Sequence, residues 1–315
     1  MSLRAFVTGA TGFVGRHLIH LLSASDYKIY GTSFPEEPSP AEKDIFHLDI
    51  RSEEGVSEVL KRTKPDWIFH LAAVSNVRHS WERRKETLET NIMGTFFLFE
   101  AVRNFVPQAR ILYVSSSDVY DFLKPVERPL KEDDVRRANS PYAFSKMSAE
   151  ILSDFYVRVE ELDIVIARSF SHTGPMQSPD FVCSDWAFQV ARIEKEQAEP
   201  VIHVGNIEVK RDFTDVRDVV RAYALLMEKG RKGEVYNVCS GRAVPLRTIL
   251  DTLLSFSTEK IEVRVDPQKL RKVDTPVLLG NNQKIREETS WKPDIPLKQS
   301  LRDLLEYWRG RVKNS

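Results

Sequence analysis

The first two thirds of the chain alternate between short apolar runs and segments whose apolar residues have helical spacing. Apolar runs at residues 5–7, 67–73 and 110–114 predict buried strands. Residues 17–22 and 91–102 show the helical spacing instead. Parallel neighbouring strands need a crossover, and helices between strands provide one. The pattern therefore predicts an α/β fold with a doubly wound parallel sheet. Further strands are predicted at residues 28–31, 45–48 and 164–167, and further helices at residues 56–60 and 145–157.

Beyond about residue 170 the pattern is less regular, and prolines separate short elements. We predict a main domain at residues 1–170, to which some later segments return. Residues 171–315 are predicted to form mainly a smaller lobe that folds over the carboxyl edge of the sheet, where open α/β sheets bind their ligands.

Composition excludes several classes of protein. The 315 residues include 46 Lys plus Arg and 46 Asp plus Glu, so the formal net charge is zero and a nucleic-acid partner is not expected. Cys183 and Cys239 lie far apart, which excludes a disulfide framework and a zinc cluster and fits a reducing cytoplasm. We expect no metal site. No apolar run approaches the ~20 residues of a membrane span, and we expect no signal peptide before the first strand.

A glycine-rich turn follows the first strand. Its three glycines are three residues apart, and each has a physical role. The first permits a tight turn, the second lets backbone amides approach a pyrophosphate, and the third allows close contact between helix and strand. The positive end of the following helix favours phosphate charge. The motif therefore predicts a dinucleotide-binding turn. Its predicted contacts are Gly9, Thr11, Gly12, Phe13, Val14 and Gly15.

The ends of the next strands bear on the choice of cofactor. An acidic residue after the second strand would bind the 2′-hydroxyl of NAD, but Thr32 and Ser33 stand there. Their hydroxyls would not repel a 2′-phosphate, so NADP is the expected cofactor and NAD stays open. Asp49 and Ile50 follow the third strand and either meet the adenine or form a plain turn. The small residues after the fourth strand are expected to lie against the cofactor; they are Leu71, Ala72 and Ala73.

A tyrosine and a lysine four residues apart form the predicted catalytic group with a serine. If Pro141 begins a helix, Tyr142 and Lys146 share one helical face. A free tyrosine has a pKa of ~10 and is a poor proton donor at neutral pH. We expect the Lys146 ammonium to lower the pKa of Tyr142 and to hold a cofactor ribose. Ser116, at the end of a strand, is expected to hydrogen-bond a reacting carbonyl oxygen.

Taken together, these motifs resemble those of the extended short-chain dehydrogenase/reductase family over nearly the whole chain. They are Gly9-x-x-Gly12-x-x-Gly15, His70-Leu-Ala-Ala73, Asn91-x-x-Gly94-Thr95, Ser116 with Val119-Tyr120, Tyr142-x-x-x-Lys146 and Trp291-Lys-Pro293. The resemblance implies a Rossmann domain that binds NAD(P) at residues 1–170 and a lobe that binds a nucleoside-diphosphate sugar at residues 171–315. It also implies a homodimer built on paired helices, here residues 91–102 and 142–157.

The resemblance further implies which residues contact the sugar nucleotide. These are Ser75, Ser117, Asp118, Ser171, Arg211, Arg271 and Asp274. Charge agrees with this, because Arg211 and Arg271 can clamp a diphosphate and Asp274 can accept from a ribose hydroxyl or from guanine.

Within the family, the stretches around residues 172–178 and 211–218 imply a reductase of a 4-keto-6-deoxy sugar nucleotide. The favoured reaction converts GDP-4-keto-6-deoxy-mannose to GDP-rhamnose. One alternative is a GDP-mannose 4,6-dehydratase, in which Asp118 would be the additional acid or base. A nucleotide-sugar 4-epimerase and a non-enzymatic module that senses NADPH are the others. The presence of Ser116, Tyr142 and Lys146 together favours an enzyme.

Overall fold

The computed structural model describes residues 2–34, 44–121, 128–269 and 275–312. The strands in chain order are β1 (Leu3–Thr8), β2 (Tyr27–Ser33), β3 (Ile45–His47), β4 (Trp67–His70), β5 (Arg110–Ser116), β6 (Asp163–Ser169), β7 (Ser171–Thr173), β8 (Val201–Val204), β9 (Lys210–Asp215), β10 (Val235–Val238), β11 (Ala243–Pro245), β12 (Glu262–Val265) and β13 (Val277–Leu278). The helices are α1 (Phe13–Ser23), α2 (Glu53–Thr63), α3 (Val77–Glu82), α4 (Arg84–Leu88), α5 (Gly94–Phe105), α6 (Pro141–Arg158), α7 (Val182–Glu194), α8 (Val216–Lys229), α9 (Leu246–Leu254), α10 (Gln283–Thr289) and α11 (Leu297–Arg311).

Seven parallel strands form the main sheet, in the order β10-β6-β5-β4-β1-β2-β3. The strand order reverses at β1, which pairs with β2 on one side and β4 on the other. In a doubly wound sheet, the carboxyl ends of strands at such a reversal border a crevice that binds ligands. The predicted fold class is confirmed, and the topology places a binding crevice at the ends of β1 and β4.

Helices cover both faces of this sheet. On one face, α1 and α8 pack around an apolar cluster that includes Leu18 and Leu226. On the other face, α2, α5 and α6 surround a second cluster that includes Leu60 and Leu98. Because both faces are covered, the strands are apolar on both sides. This explains why the sequence shows continuous apolar runs rather than alternation.

The second part of the chain builds a smaller sheet around β9, which pairs with β7, β11 and β13. The helices α7, α9 and α11 form a separate apolar cluster that includes Ile249 and Leu304. β10 leaves this part and pairs with β6 in the main sheet. Asp212 of β9 stabilises the return, because its buried carboxylate accepts from the backbone N–H groups of Ser240 and Gly241. The domain division at residue 170 stays a prediction.

Local capping explains where the helix that carries Tyr142 begins. The Ser140 side chain accepts from the Ala143 N–H, and Pro141 occupies the first turn.

A π-helix at Glu89–Met93 precedes α5, and π-helical turns occur often at functional sites. The buried Asn91 lies within it and contacts both Val74 and Ser145. The predicted helix at residues 145–157 is confirmed and begins earlier, at Pro141, while the predicted helix at residues 91–102 is confirmed as the end of the π-helix together with α5.

Candidate active site

The glycine turn packs against the end of β4. Gly9 has φ +69°, and a Cβ there would lie 3.1 Å from the Ala72 Cα. A Cβ on Gly15 would lie 2.2 Å from the Gly9 carbonyl oxygen and 2.8 Å from the Ala10 Cα. Within the described residues, no side chain caps the N-terminus of α1 at Gly12. The turn therefore offers a shallow backbone cradle beside free helix amides, which fits a dinucleotide pyrophosphate.

The predicted hydroxyls at the end of β2 already have partners within the protein. Thr32 is buried, and its hydroxyl accepts from the Gly9 N–H at 3.1 Å. Ser33 is also buried, and its hydroxyl pairs with His47 Nδ1 at 3.1 Å. Thr32 and Ser33 therefore support the glycine turn and the neighbouring strand. A contact of either hydroxyl with a 2′-phosphate stays a prediction.

Asp49 and Ile50 lie after β3 and support the site from one side. The Asp49 carboxylate pairs with the Arg51 guanidinium, and this hydrogen bond holds the pKa of Asp49 below its usual range. Ile50 is buried against Gly94, where an added Cβ would lie 2.7 Å from an Ile50 methyl group. A contact of either residue with adenine stays a prediction.

A buried chain of hydrogen bonds fixes the backbone after β4. The Thr8 hydroxyl accepts from the N–H groups of Leu71 and Ala72 at 3.1 Å each, and it lies 2.9 Å from His70 Nδ1. His70 Nε2 lies 2.9 Å from the Thr95 hydroxyl, which donates to the Asn91 carbonyl. Burial lowers the pKa of His70 to about 3, so the ring is neutral. The directions of these bonds assign its proton to Nε2.

The same network reaches the helix of Tyr142. The Asn91 side-chain amide donates to the Val74 carbonyl and to the Ser145 hydroxyl, which in turn donates to the Tyr142 carbonyl. Sequence analysis used His70 and Asn91 only as motif markers and missed this positioning role. The network links the predicted cofactor surface at Leu71, Ala72 and Ala73 to the backbone of Tyr142.

The three predicted catalytic residues lie at one edge of the sheet. Ser116 ends β5, and its hydroxyl is close enough to the Tyr142 phenol to act on the pKa of that phenol. The Ser116 hydroxyl also lies 3.3 Å from the Asp118 carboxylate and accepts from the Asp118 N–H at 3.1 Å. Lys146, one helical turn after Tyr142, donates from Nζ to the Val114 carbonyl at 2.8 Å. A buried phenol, a serine hydroxyl and an ammonium thus meet at the carboxyl end of β5.

The pKa of Tyr142 is raised overall, not lowered as predicted, and the stabilisation of its phenolate by Lys146 stays a prediction. Burial and the negative charge of Asp118 raise the pKa of Tyr142, and the hydrogen bond with Ser116 only partly opposes them. Burial lowers the pKa of Lys146 to about 8, while the charge of Glu150 acts to raise it. Sequence spacing places Tyr142 and Lys146 on one face but does not reveal how completely both are buried. Tyr142 is therefore a protonated phenol at neutral pH, and it needs a positive charge that stabilises its phenolate to become an effective proton donor.

The predicted substrate residues that the structure describes differ in their exposure to solvent. Ser117 is buried, whereas Ser171 and Asp118 are half-buried and Ser75 is exposed. The Arg211 guanidinium donates to the Thr275 carbonyl at 2.7 Å and so anchors the chain that follows residue 274. Arg271 and Asp274 lie outside the described residues. The roles of these residues in binding a sugar nucleotide stay predictions.

An aromatic contact that sequence analysis missed joins the glycine turn to the second part of the chain. Phe13 of α1 stacks on His172 of β7, with ring centroids 5.9 Å apart and planes at 14°. His17 Nε2 lies 2.9 Å from the Pro175 carbonyl and donates to it. Burial lowers the pKa of His17, which keeps this ring neutral. The cofactor turn and the loop at residues 174–177 are thereby held together.

The described ranges contain no group of three or more His, Cys, Asp or Glu side chains placed to hold a metal ion. None of the helices in those ranges has the length and apolar character that crossing a bilayer requires.

Comparison with known proteins places the chain among enzymes of sugar nucleotides. The family model described as GDP-mannose 4,6 dehydratase matches residues 6–304. GDP-6-deoxy-D-mannose reductase from Pseudomonas aeruginosa is 34% identical over 313 residues, which cover 99% of each chain. The solved structure of RMD from Pseudomonas aeruginosa complexed with NADPH is 33% identical, with a TM-score of 0.89 over 99% of this chain and 100% of that chain.

A third relative is named for a different reaction of sugar nucleotides, 4-epimerisation. The structure of UDP-glucose 4-epimerase from Thermotoga maritima with UDP-glucose is 25% identical, with a TM-score of 0.87 over 99% of this chain and 100% of that chain. All three matches extend over the glycine turn, the serine strand end and the helix of Tyr142 and Lys146. The chain belongs to the GDP-mannose 4,6-dehydratase family of the extended short-chain dehydrogenases/reductases.

Proposed function

We propose that this protein uses NADPH to reduce the C4 ketone of GDP-4-keto-6-deoxy-mannose to GDP-rhamnose. The observation that carries the proposal is the buried Tyr142 phenol, which lies with Lys146 and Ser116 at the sheet edge that also bears the glycine turn. The similarity to a GDP-6-deoxy-D-mannose reductase over 99% of both chains supports the choice of substrate. The NADPH complex of a relative at 33% identity supports the choice of cofactor.

Each catalytic side chain has a role that follows from its place. NADPH, held at the glycine turn, supplies the reducing hydride. Tyr142, which its raised pKa keeps protonated at neutral pH, donates its proton to the C4 oxygen. Ser116 donates a hydrogen bond that orients the same oxygen. Lys146 holds a ribose hydroxyl, and its positive charge stabilises the phenolate that remains on Tyr142.

We also propose that the predicted sugar-nucleotide contacts lie in the part of the chain around β7 and β9. Arg211 lies on β9 next to Asp212, and its hydrogen bond to Thr275 fixes the segment that precedes β13. A guanidinium there is placed to pair with a diphosphate. The half-buried Ser171 begins β7, directly after the main-sheet strand β6, and so lies near the same edge.

The dehydratase is the second candidate, and the place of Asp118 favours it. Its carboxylate lies 3.3 Å from Ser116 Oγ, within reach of a sugar bound over Tyr142. A dehydratase needs such a carboxylate to remove a proton and return it to a leaving hydroxyl, whereas a C4 reductase does not. Asp118 instead helps to hold Ser116 in place through its N–H.

Replacing Asp118 with Asn separates these two functions. The reductase account predicts that kcat for the 4-keto sugar falls by less than about tenfold, because only a supporting contact is changed. A dehydratase would lose about 10²-fold or more of its turnover with its general acid or base. The measurement is kcat of the variant and the parent on the keto sugar and on GDP-mannose. A loss of 10²-fold or more on the keto sugar contradicts the reductase account.

The assay that tests the proposal compares three mixtures of the purified protein. With NADPH and GDP-4-keto-6-deoxy-mannose, the absorbance of NADPH is expected to fall, and GDP-rhamnose should form. With NADPH and GDP-mannose, no change is expected. Conversion of GDP-mannose without added reductant would show dehydratase or epimerase activity instead and would overturn the proposal.

We further propose that the protein is a homodimer that pairs through α5 and α6. Apolar side chains follow one face of α6 at helical spacing, and others extend the surface next to α5; each is at least 38% exposed. They are Met93, Phe105, Phe144, Ile151, Phe155 and Val159. The two helices also pack against each other within the chain. A second copy would bury this surface as a four-helix bundle.

Replacing Ile151 with Glu is expected to convert the dimer to a monomer, because it puts a charge in the middle of the buried apolar surface. Light scattering coupled to size exclusion measures the mass directly. Val265, which is 62% exposed on β12, provides the matched control, and its replacement with Glu should leave the dimer intact. A monomeric parent protein, or a dimer that survives the Ile151→Glu change, contradicts the proposed interface.

We also propose a division of the chain into two domains and a cytoplasmic location. The division into a dinucleotide-binding domain at residues 1–170 and a sugar-nucleotide lobe at residues 171–315 is supported by two apolar clusters, one with its buried residues between 6 and 166 and one between 183 and 305. The cluster around α1 and α8 contains the later segments that return to the main sheet. A cytoplasmic location is supported by Cys183 and Cys239, which are both free, buried thiols.

A further inference from the structure

The buried face of α6 carries a third polar residue in line with Tyr142 and Lys146. Glu150 follows Lys146 by four residues, as Lys146 follows Tyr142, so the three side chains lie on one face of the helix. Their exposed fractions are 8%, 5% and 2% in this order. A buried carboxylate is costly unless it is paired, so Glu150 requires an explanation. The proposed reaction leaves it without a role.

Two arginines fix the Glu150 carboxylate. Arg168 of β6 binds it with both arms, from Nε to Oε1 and from an Nη to Oε2, at 2.8 Å each. Arg136, from the segment before α6, donates to Oε2 at 2.8 Å. Arg168 is itself only 2% exposed. Burial acts to raise the pKa of Glu150, but the hydrogen bonds and charge of Arg168 outweigh it and hold this pKa below its usual range.

Arg168 is held in turn by groups from other elements. It donates to the Tyr120 hydroxyl at 3.1 Å and to the Glu132 carbonyl at 2.7 Å. The Tyr120 hydroxyl donates to the Asn237 side chain on β10. The position of the Glu150 carboxylate is therefore determined by the main sheet and by the segment before α6, not by its helix alone.

The groups that face Lys146 come from α6, β4 and β5. On β5, the Val114 carbonyl accepts from Nζ, and the Tyr113 ring centroid lies 5.2 Å away. The neutral His70 of β4 lies beside Tyr113, with ring centroids 5.9 Å apart. On α6, Tyr142 and Glu150 flank Lys146 by one turn each. Of these groups, Glu150 carries the negative charge that acts on the Lys146 ammonium.

We propose that Glu150 is a positioning residue for the reduction: fixed by Arg168 and Arg136, its carboxylate keeps the Lys146 ammonium charged next to Tyr142. This inference rests on the proposed function of Tyr142 and Lys146. A charged Lys146 can hold a ribose hydroxyl and stabilise the phenolate left on Tyr142, whereas a neutral amine cannot stabilise it by charge. Glu150 thus acts through Lys146 and does not touch the reacting atoms.

The pH profile of kcat tests this role. The parent protein should lose activity as the pH rises through about 8, because Lys146 is charged below its pKa and neutral above it. In Glu150→Gln, the supporting negative charge is gone, and the alkaline limb should move to lower pH by about one unit. Activity should then be about fivefold lower than in the parent at pH 8 and nearly equal at pH 6.5. Glu150→Asp keeps the charge and should restore most of the parent profile.

Asp163→Asn is the matched control. Asp163 pairs with Arg110 at 2.9 Å, and these two residues begin β6 and β5, at the end of the strands away from the catalytic group. This variant therefore removes a paired carboxylate from the same sheet far from Lys146. Its pH profile should match that of the parent. If Glu150→Gln does not fold because Arg168 is left without its partner, the double variant Glu150→Gln with Arg168→Met removes that buried charge. This variant should show the same shift of the alkaline limb.

The outcomes are distinct. A parent protein that does not reduce the keto sugar overturns the proposed function itself. A parent that does so, with Glu150→Gln or the double variant showing an unchanged alkaline limb, overturns the role of Glu150 alone. An equal shift in Asp163→Asn overturns it as well, because the effect would then not depend on the neighbour of Lys146. A shift confined to the Glu150 variants supports it.

Discussion

Replacing Tyr142 with Phe should lower kcat for the 4-keto sugar by about 10²–10⁴-fold, the contribution that a positioned proton donor makes. The phenol is buried, and Ser116 and Asp118 at the end of β5 act on its pKa, so it belongs to this edge of the sheet. Phenylalanine keeps the ring and its packing but removes the proton. We expect the affinity for NADPH to stay within about threefold, because a single hydrogen bond contributes little net binding energy. Steady-state loss of NADPH absorbance gives kcat, and quenching of protein fluorescence gives the affinity for NADPH.

Tyr156 provides the control on the same helix. Its hydroxyl hydrogen-bonds to Glu100 of α5, away from Ser116 and Lys146. Tyr156→Phe should therefore leave kcat near that of the parent. If Tyr142→Phe retains turnover within about threefold of the parent, another group donates the proton, and the assigned role of Tyr142 is wrong. A non-enzymatic NADPH sensor would also show no effect.

Replacing Gly15 with Ala should disrupt the binding of NADPH. The new Cβ would lie 2.2 Å from the Gly9 carbonyl oxygen and 2.8 Å from the Ala10 Cα, and these are backbone atoms that cannot rotate away. The turn must open to relieve the clash. Overpacking of this kind costs about 1–3 kcal/mol. If this free energy must be supplied to restore the turn conformation that binds NADPH, the Kd for NADPH rises by about 10–100-fold. Fluorescence titration with NADPH measures the change.

Gly310→Ala is the matched control for that variant. Gly310 lies in α11, and a Cβ there would contact nothing within 4 Å. Alanine is favoured over glycine within a helix by about 1 kcal/mol, so this variant should be slightly more stable and should bind NADPH normally. Unchanged affinity in Gly15→Ala would show that the third glycine of the turn does not set the approach of helix to strand.

The fold could be predicted from the sequence because its signals are local and repeated. Apolar runs followed by helical spacing recur along the main sheet, and the glycine turn lies between the first strand and the first helix. Tyr142 and Lys146 were also predictable, because four-residue spacing on a helix fixes a common face. The sequence did not show which later segment returns to the main sheet, because the pairing of Val235–Val238 with β6 depends on tertiary contacts.

The electrostatics of the site could not be predicted in the same way. The hydroxyls of Thr32 and Ser33 are chemically suited to a phosphate, yet the fold pairs them with Gly9 and His47. The pKa of Tyr142 depends on burial, which spacing does not show. Glu150 and Arg168 are 18 residues apart on different elements, and only the packing of α6 on β6 brings them together. A charged residue ending the apolar run of β6 was the signal for Arg168 that sequence analysis did not use.

The measurement that tests the central claim most directly follows a deuterium label from cofactor to product. The protein is incubated with GDP-4-keto-6-deoxy-mannose and NADPH that is deuterated at the transferred position of its nicotinamide ring, and the product is analysed by mass spectrometry and NMR. The account predicts GDP-rhamnose with one deuterium bound at C4 of the sugar. A product without deuterium at C4, or with the label at another carbon, would contradict direct reduction of the C4 ketone.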